Sequence, residues 1–115
     1  SPAGPAARFT PPRDRATKVG ALGSWVAGVY GQEVFLQVTP FDLQGDYPDR
    51  SSVQVYADKA YAELETLSPQ KRLRAGESMA NTVEWILLER RAGESPEELA
   101  RRLEAIAAQR AGGGA

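Results

Sequence analysis

The sequence predicts an α+β fold, in which a small antiparallel sheet is followed by three to four short α-helices packed on one of its faces. Strand-forming residues are concentrated in 24–39. After Asp58 the spacing of apolar residues changes from two to about 3.6, which is typical of helices. The pentapeptide Arg-Ala-Gly-Glu-Ser occurs twice, at 74–78 and 91–95. Each copy is interpreted as the end of one helix joined to the start of the next.

The predicted strands are short and adjacent. Residues 25–30 and 34–39 are rich in Val, Phe, Tyr and Trp, and Gly31 with Gln32 forms a plausible tight turn between them. Residues 52–56 alternate in polarity and predict a short third strand. We therefore expect a hairpin plus one further strand in a single sheet.

Helix-terminal signals divide the second half of the chain. In each pentapeptide, Arg suits the negative end of a helix dipole, Gly adopts the left-handed conformation that ends a helix, and Ser caps the next one. The sequence around Ser95 is a capping box, Ser-x-x-Glu with Pro at the first helical position. The predicted helices cover about 58–67, 69–75, 78–92 and a final stretch from Ser95.

The chain is organised as one domain with extensions at both ends. Residues 1–18 predict a flexible, Pro-rich, basic arm, and 112–115 a flexible Gly-rich tail, so that 19–111 form a single α+β domain. The absence of cysteine excludes disulfides and thiol catalysis, and the absence of histidine removes the commonest general base. No cofactor, metal site or catalytic residue is predicted, and no apolar run is long enough to span a bilayer.

The function that the sequence favours is a non-enzymatic protein–protein interaction module, a small accessory subunit or regulator of a larger complex. Aromatic residues cluster near the predicted sheet, and the arm adds positive charge. A protein partner is expected, and self-association is a second expectation. The predicted partner-binding residues are Phe9, Arg13, Arg15, Trp25, Phe35 and Trp85.

A nucleic-acid-associated regulator is the first alternative, using the basic arm together with Arg101 and Arg102. Residues 95–103 resemble the first helix of bacterial helix-turn-helix regulators, a resemblance that covers about nine residues. In that family a Gly-containing turn and a recognition helix follow. Here residues 104–108 continue the helical pattern instead.

A metal-dependent hydrolase is the second alternative. Asp42, Asp46 and Asp49 concentrate carboxylates in one loop, and carboxylate oxygens bind hard divalent cations. Their spacing does not match the EF-hand loop, which needs ligands at alternate positions and a central Gly. A solvated acidic loop explains the same residues.

Overall fold

The computed structural model describes residues 6–12 and 14–113. The elements are β1 (Thr17–Ala21), β2 (Trp25–Tyr30), β3 (Glu33–Val38), a short 3-10 helix (Pro48–Arg50), β4 (Val53–Ala57), β5 (Ala62–Thr66), β6 (Glu84–Glu89) and α1 (Pro96–Gly113). The strands form two three-stranded antiparallel sheets, with strand orders β1-β4-β5 and β2-β3-β6.

The predicted α+β fold with three to four helices is wrong, since the protein is mostly β and has a single helix in its described part. The hairpin and the third strand exist as β2, β3 and β4, but β4 belongs to the other sheet. There it lies between β1, which the sequence assigned partly to the arm, and β5, which the sequence assigned to a helix.

The hairpin turn has the predicted position. Tyr30 pairs with Glu33, which leaves Gly31 and Gln32 as a two-residue loop. Gly31 has a φ of 64°, the conformation that a type II′ turn requires at its first central position. This turn fixes the register of β2 against β3, and therefore which side chains share a face of the sheet.

The helix predicted from Asp58 is a hairpin turn followed by β5. The Asp58 carboxylate accepts bonds from the N–H groups of Ala60 (2.7 Å) and Tyr61 (3.0 Å), as it would at a helix N-cap. These bonds, first that from Ala60, and a bond from the Tyr56 hydroxyl lower the pKa of Asp58. The local signal is the same for a cap and for an Asx turn. The alternation of apolar and Glu residues in 62–66 is the feature that indicates a strand.

The helix predicted over 78–92 is also wrong, because this region contains β6. Ile86 and Leu88 pack beside the core, whereas Trp85 and Leu87 are exposed on the other face. Since both faces carry large apolar residues, the period of two is hidden in the sequence. The helix predicted over 69–75 is absent as well; this segment has no regular structure beyond a turn.

The two pentapeptides adopt the same turn. In each, the Glu N–H donates to the Arg carbonyl at 3.0 Å, and the Gly takes a positive φ of 87° at Gly76 and 73° at Gly93. The Glu side chain also accepts the Arg backbone N–H, at 2.7 Å in the first copy and 3.1 Å in the second. The glycine conformation is as predicted, but neither turn ends a helix.

Only the second copy starts a helix. The Glu98 N–H donates to the Ser95 hydroxyl, and the Ser95 N–H donates to the Glu98 carboxylate, both at 3.1 Å, so the predicted capping box is confirmed. α1 then packs on the sheet β2-β3-β6 to form the main core. The buried core residues are Val34, Leu36, Val38, Leu99, Leu103 and Ala107.

Candidate protein-binding face

The sheet β2-β3-β6 has two faces, because side chains alternate across each strand. α1 packs on one of them. The opposite face, which we call the open face, has no described helix packed on it. The registers arrange its side chains in three rows across β2, β3 and β6: Val26, Gln37 and Trp85; Gly28, Phe35 and Leu87; Tyr30, Glu33 and Glu89.

Four large side chains of the open face form a contiguous apolar patch: Tyr30, Phe35, Trp85 and Leu87. Leu87 is 82% exposed, Trp85 71% and Tyr30 57%. Phe35 lies between them and meets Trp85 edge to face, with ring centroids 5.6 Å apart and an interplanar angle of 89°. The geometry therefore presents an ordered aromatic surface to solvent.

Gly28 leaves room for one ring of this patch. A Cβ atom at Gly28 would lie 2.8 Å from Cε2 and 2.8 Å from the hydroxyl oxygen of Tyr30, closer than van der Waals contact allows. The Tyr30 ring therefore lies over the Gly28 backbone on the open face.

The first row of the open face is closed by the other sheet. Val26 and Gln37 are buried there, where β2 approaches β4 and β5. The Gln37 side-chain amide donates to the carbonyl of Leu64 in β5 at 3.4 Å. The sheet β1-β4-β5 therefore borders the patch on the side of Val26 and Gln37.

The last row is acidic. Glu33 and Glu89 stand directly opposite each other in the register, and both are exposed. Like charges opposite each other on one face of a sheet are mutually destabilising. Neither carboxylate forms an ion pair with another residue in the described part of the chain. The patch therefore has an apolar centre and a negative end.

A largely buried ion pair connects α1 to the end of β6. The Arg102 guanidinium donates to both oxygens of Glu94, at 2.7 and 2.8 Å, and to the carbonyl of Glu89 at 2.9 Å. The two side chains are 16% and 6% exposed, respectively. The bonds from Arg102 lower the pKa of Glu94 to about 2, and the same contact raises the pKa of Arg102. This pair holds the helix over the covered face.

The predicted binding residues do not all meet at one place. Phe35 and Trp85 come together on the open face. Trp25 lies on the covered face, where it packs beside the core and its indole N–H donates to the Glu104 carboxylate. Trp25 and Phe35 therefore point to opposite faces of the sheet and do not share one patch, because Trp25 pairs with Val38 and Phe35 with Gly28.

The arm residues stay untested predictions. Phe9 is half-buried, and Arg15 is exposed beside Asp14 at 3.6 Å. Arg13 lies outside the described residues. Sequence reasoning missed Tyr30 and Leu87 as members of the patch. The signal that could have found Leu87 is its separation of two from Trp85, once the segment is treated as a strand.

The two alternative functions stay predictions, and the structure shows where some of their residues lie. Arg102 is bound to Glu94, so it is not free for a phosphate. In the part of the chain that the structure describes, no three acidic side chains, from the loop of Asp42, Asp46 and Asp49 or elsewhere, come together as a metal ligand set. α1 also continues through 104–108 without the turn that a helix-turn-helix motif requires.

Comparisons with known proteins add no family to this description. No protein-family model matches the chain, and neither a curated protein nor a solved structure shows a significant match. Among the described residues, no helix has the length and apolar character needed to cross a membrane.

Proposed function

We propose that the protein is a non-enzymatic interaction module, a small subunit or regulator, that docks its open face on a protein partner. The observation that carries the proposal is the exposed apolar patch of Tyr30, Phe35, Trp85 and Leu87, ordered by strand pairing on a rigid sheet. Exposed contiguous apolar patches on soluble domains mark interaction sites. Trp and Tyr are also the residue types enriched at binding hot spots.

The charges around the patch specify the partner. Glu33 and Glu89 repel each other at one end of the patch, and a cation placed between them would relieve that repulsion. The expected partner is a protein segment with apolar anchors for the aromatic patch and a Lys or Arg at the end that faces these carboxylates. Electrostatic complementarity of this kind fixes the orientation of the bound segment.

A peptide library displayed on phage and selected on the immobilised protein tests the proposal. We expect enriched peptides to combine aromatic or aliphatic anchors with a basic residue at one end. The variant Tyr30→Ser/Trp85→Ser should weaken their binding at least about tenfold, because it removes two anchors of the patch. The variant Glu33→Gln/Glu89→Gln should weaken it less and reduce its dependence on salt.

The matched control is Leu43→Ser, which changes a side chain that is 78% exposed outside the patch. It should bind the selected peptides as the unmodified protein does. Peptides that bind the Tyr30→Ser/Trp85→Ser variant with undiminished affinity would show that the open face is not the docking surface. Failure to enrich any peptide with a basic end would contradict the proposed partner chemistry.

A further inference from the structure

The free edge of β6 carries backbone groups without partners. Arg90 N–H donates to the carbonyl of Gln32 at 2.8 Å, one step beyond the pairing of β6 with β3. Because backbone groups alternate in direction along a strand, the even-numbered residues of β6 point to β3. The N–H and C=O groups of Trp85, Leu87 and Glu89 therefore point away from the sheet.

Only one of these outward residues has a partner in the described part of the chain. The carbonyl of Glu89 accepts a bond from Arg102 at 2.9 Å. The outward groups of Trp85 and Leu87 receive no bond from another described residue. Neither proline nor a charged side chain interrupts the middle of this edge, although charges and prolines are the usual protection of edge strands.

We propose that the β6 edge pairs with the β6 edge of a second copy of this chain. The two strands run antiparallel about a two-fold axis at Ile86. Trp85 of each copy then stands opposite Leu87 of the other, and each such pair exchanges both of its N–H···O bonds. The result is a continuous six-stranded sheet, β2-β3-β6 joined to β6-β3-β2.

The choice of a second copy follows from the self-complementarity of the strand. The register centred on Ile86 uses the free groups of Trp85 and Leu87, and it places no like charges opposite each other. It sets Glu84 against Leu88 of the other copy, and pairing that ends there does not need the Glu89 carbonyl. A register centred on Leu87 would require the Glu89 carbonyl that Arg102 already occupies.

Side-chain composition supports the same pairing. Trp85 and Leu87, which stand opposite each other across the axis, both belong to the open face, so the open faces of both copies lie on one side of the joined sheet. Trp85 and Leu87 of each copy then form cross-strand apolar pairs, the kind of pair that stabilises a sheet.

This inference does not depend on the proposed function, because the hydrogen bonds of edge pairing come from the backbone and the open faces of both copies still point to solvent on one side of the joined sheet. Light scattering after size exclusion, at high micromolar concentration, should give twice the chain mass of 12.4 kDa. The variant Leu87→Pro removes one outward N–H and should give a single chain mass. A single chain mass for the unmodified protein would overturn the inference, as would a dimer that persists in Leu87→Pro.

The control variant is Val29→Pro on the β2 edge. The Thr39 N–H donates to the Ser24 carbonyl, so by the same alternation the Val29 N–H points away from β3. This variant should keep the doubled mass; its loss would place the contact at the β2 edge and overturn the inference.

Amide hydrogen exchange on the unmodified protein gives a second test that needs no variant. The amides of Trp85 and Leu87 should become protected as protein concentration rises. Rapid exchange of both amides at every concentration would overturn the pairing even if Leu87→Pro fails to fold. A dimer without peptide binding would refute only the proposed function, and a peptide-binding monomer would refute only the pairing.

Discussion

The two faces of the sheet β2-β3-β6 contain similar amounts of large apolar side chain but differ in what covers them. On one face, Leu36 and Val34 are buried beneath α1. On the other, Trp85 and Leu87 come from a single strand and remain exposed. Because successive residues of a β-strand point to opposite faces, alternate residues pack in the core or lie on the surface.

Apolar content therefore does not by itself identify the core of a small domain. α1 is the only α-helix in the described part of the chain, and Arg102, which binds Glu94 and the Glu89 carbonyl, connects it to the end of β6. The chain has no second described helix for the other face. An apolar face that folding leaves bare is available for binding.

Replacing leucine by alanine on each face gives the largest expected contrast. Leu36→Ala removes a fully buried side chain and should reduce the free energy of unfolding by about 2–5 kcal/mol. Leu87→Ala removes the same atoms from an exposed position and should change it by no more than about 0.5 kcal/mol. Urea denaturation of both variants measures the difference. Equal losses would show that the open face is covered in the folded protein.

The Glu94–Arg102 pair should make attachment of α1 sensitive to acid. Because the pKa of Glu94 falls from 4.5 to about 2 on folding, its contribution to stability is complete above pH 4.5 and is lost as the pH falls towards 2. The unfolding free energies of the unmodified protein and Glu94→Gln should therefore converge over this range. A constant difference between them from pH 5 to about 2 would contradict the assignment.

Glu77→Gln is the matched control for the acid experiment. Glu77 occupies the equivalent place in the first pentapeptide and accepts the same backbone N–H, from Arg74 at 2.7 Å. The residue equivalent to Arg102 in the first copy is Trp85, since the copies are 17 residues apart. Because no arginine stands at that position, Glu77→Gln should lower the free energy of unfolding less than Glu94→Gln does.

Capping of α1 gives the smallest of the expected effects. Ser95→Ala removes the hydroxyl that accepts the Glu98 N–H and should lower the free energy of unfolding by about 1 kcal/mol. Ser78→Ala, at the same place in the first pentapeptide, should have no measurable effect because no helix follows it. Thermal denaturation of the two variants compares them directly. A comparable loss in both would indicate that Ser95 does not act as a cap.

The sequence predicted the features that depend on local chemistry. The Gly31 turn and the Ser95 capping box were predicted at the right positions because each follows from the properties of a few adjacent residues. The pentapeptides show where local chemistry stops being decisive. Both copies form one turn, but only the second is followed by Pro and two Glu residues, the residue types that favour the first turn of a helix.

The rest of the fold depends on partners distant in sequence. β6 is a strand because β3 pairs with it, and nothing within 78–92 specifies that pairing. The same dependence on strand pairing explains why only part of the candidate site was predicted from the sequence. Trp85 and Phe35 were identified by residue type, but their contact and the exclusion of Trp25 follow from strand registers that a single sequence does not provide.

Tryptophan fluorescence can report on the open face alone, because the chain has only two tryptophans and they lie on opposite faces of the sheet. In the Trp25→Phe variant all indole emission comes from Trp85. We expect this emission to be readily quenched by acrylamide in the free protein and to become shielded when a selected peptide is added. Emission from Trp85 that stays equally accessible in the presence of bound peptide would contradict the assignment of the open face as the binding surface.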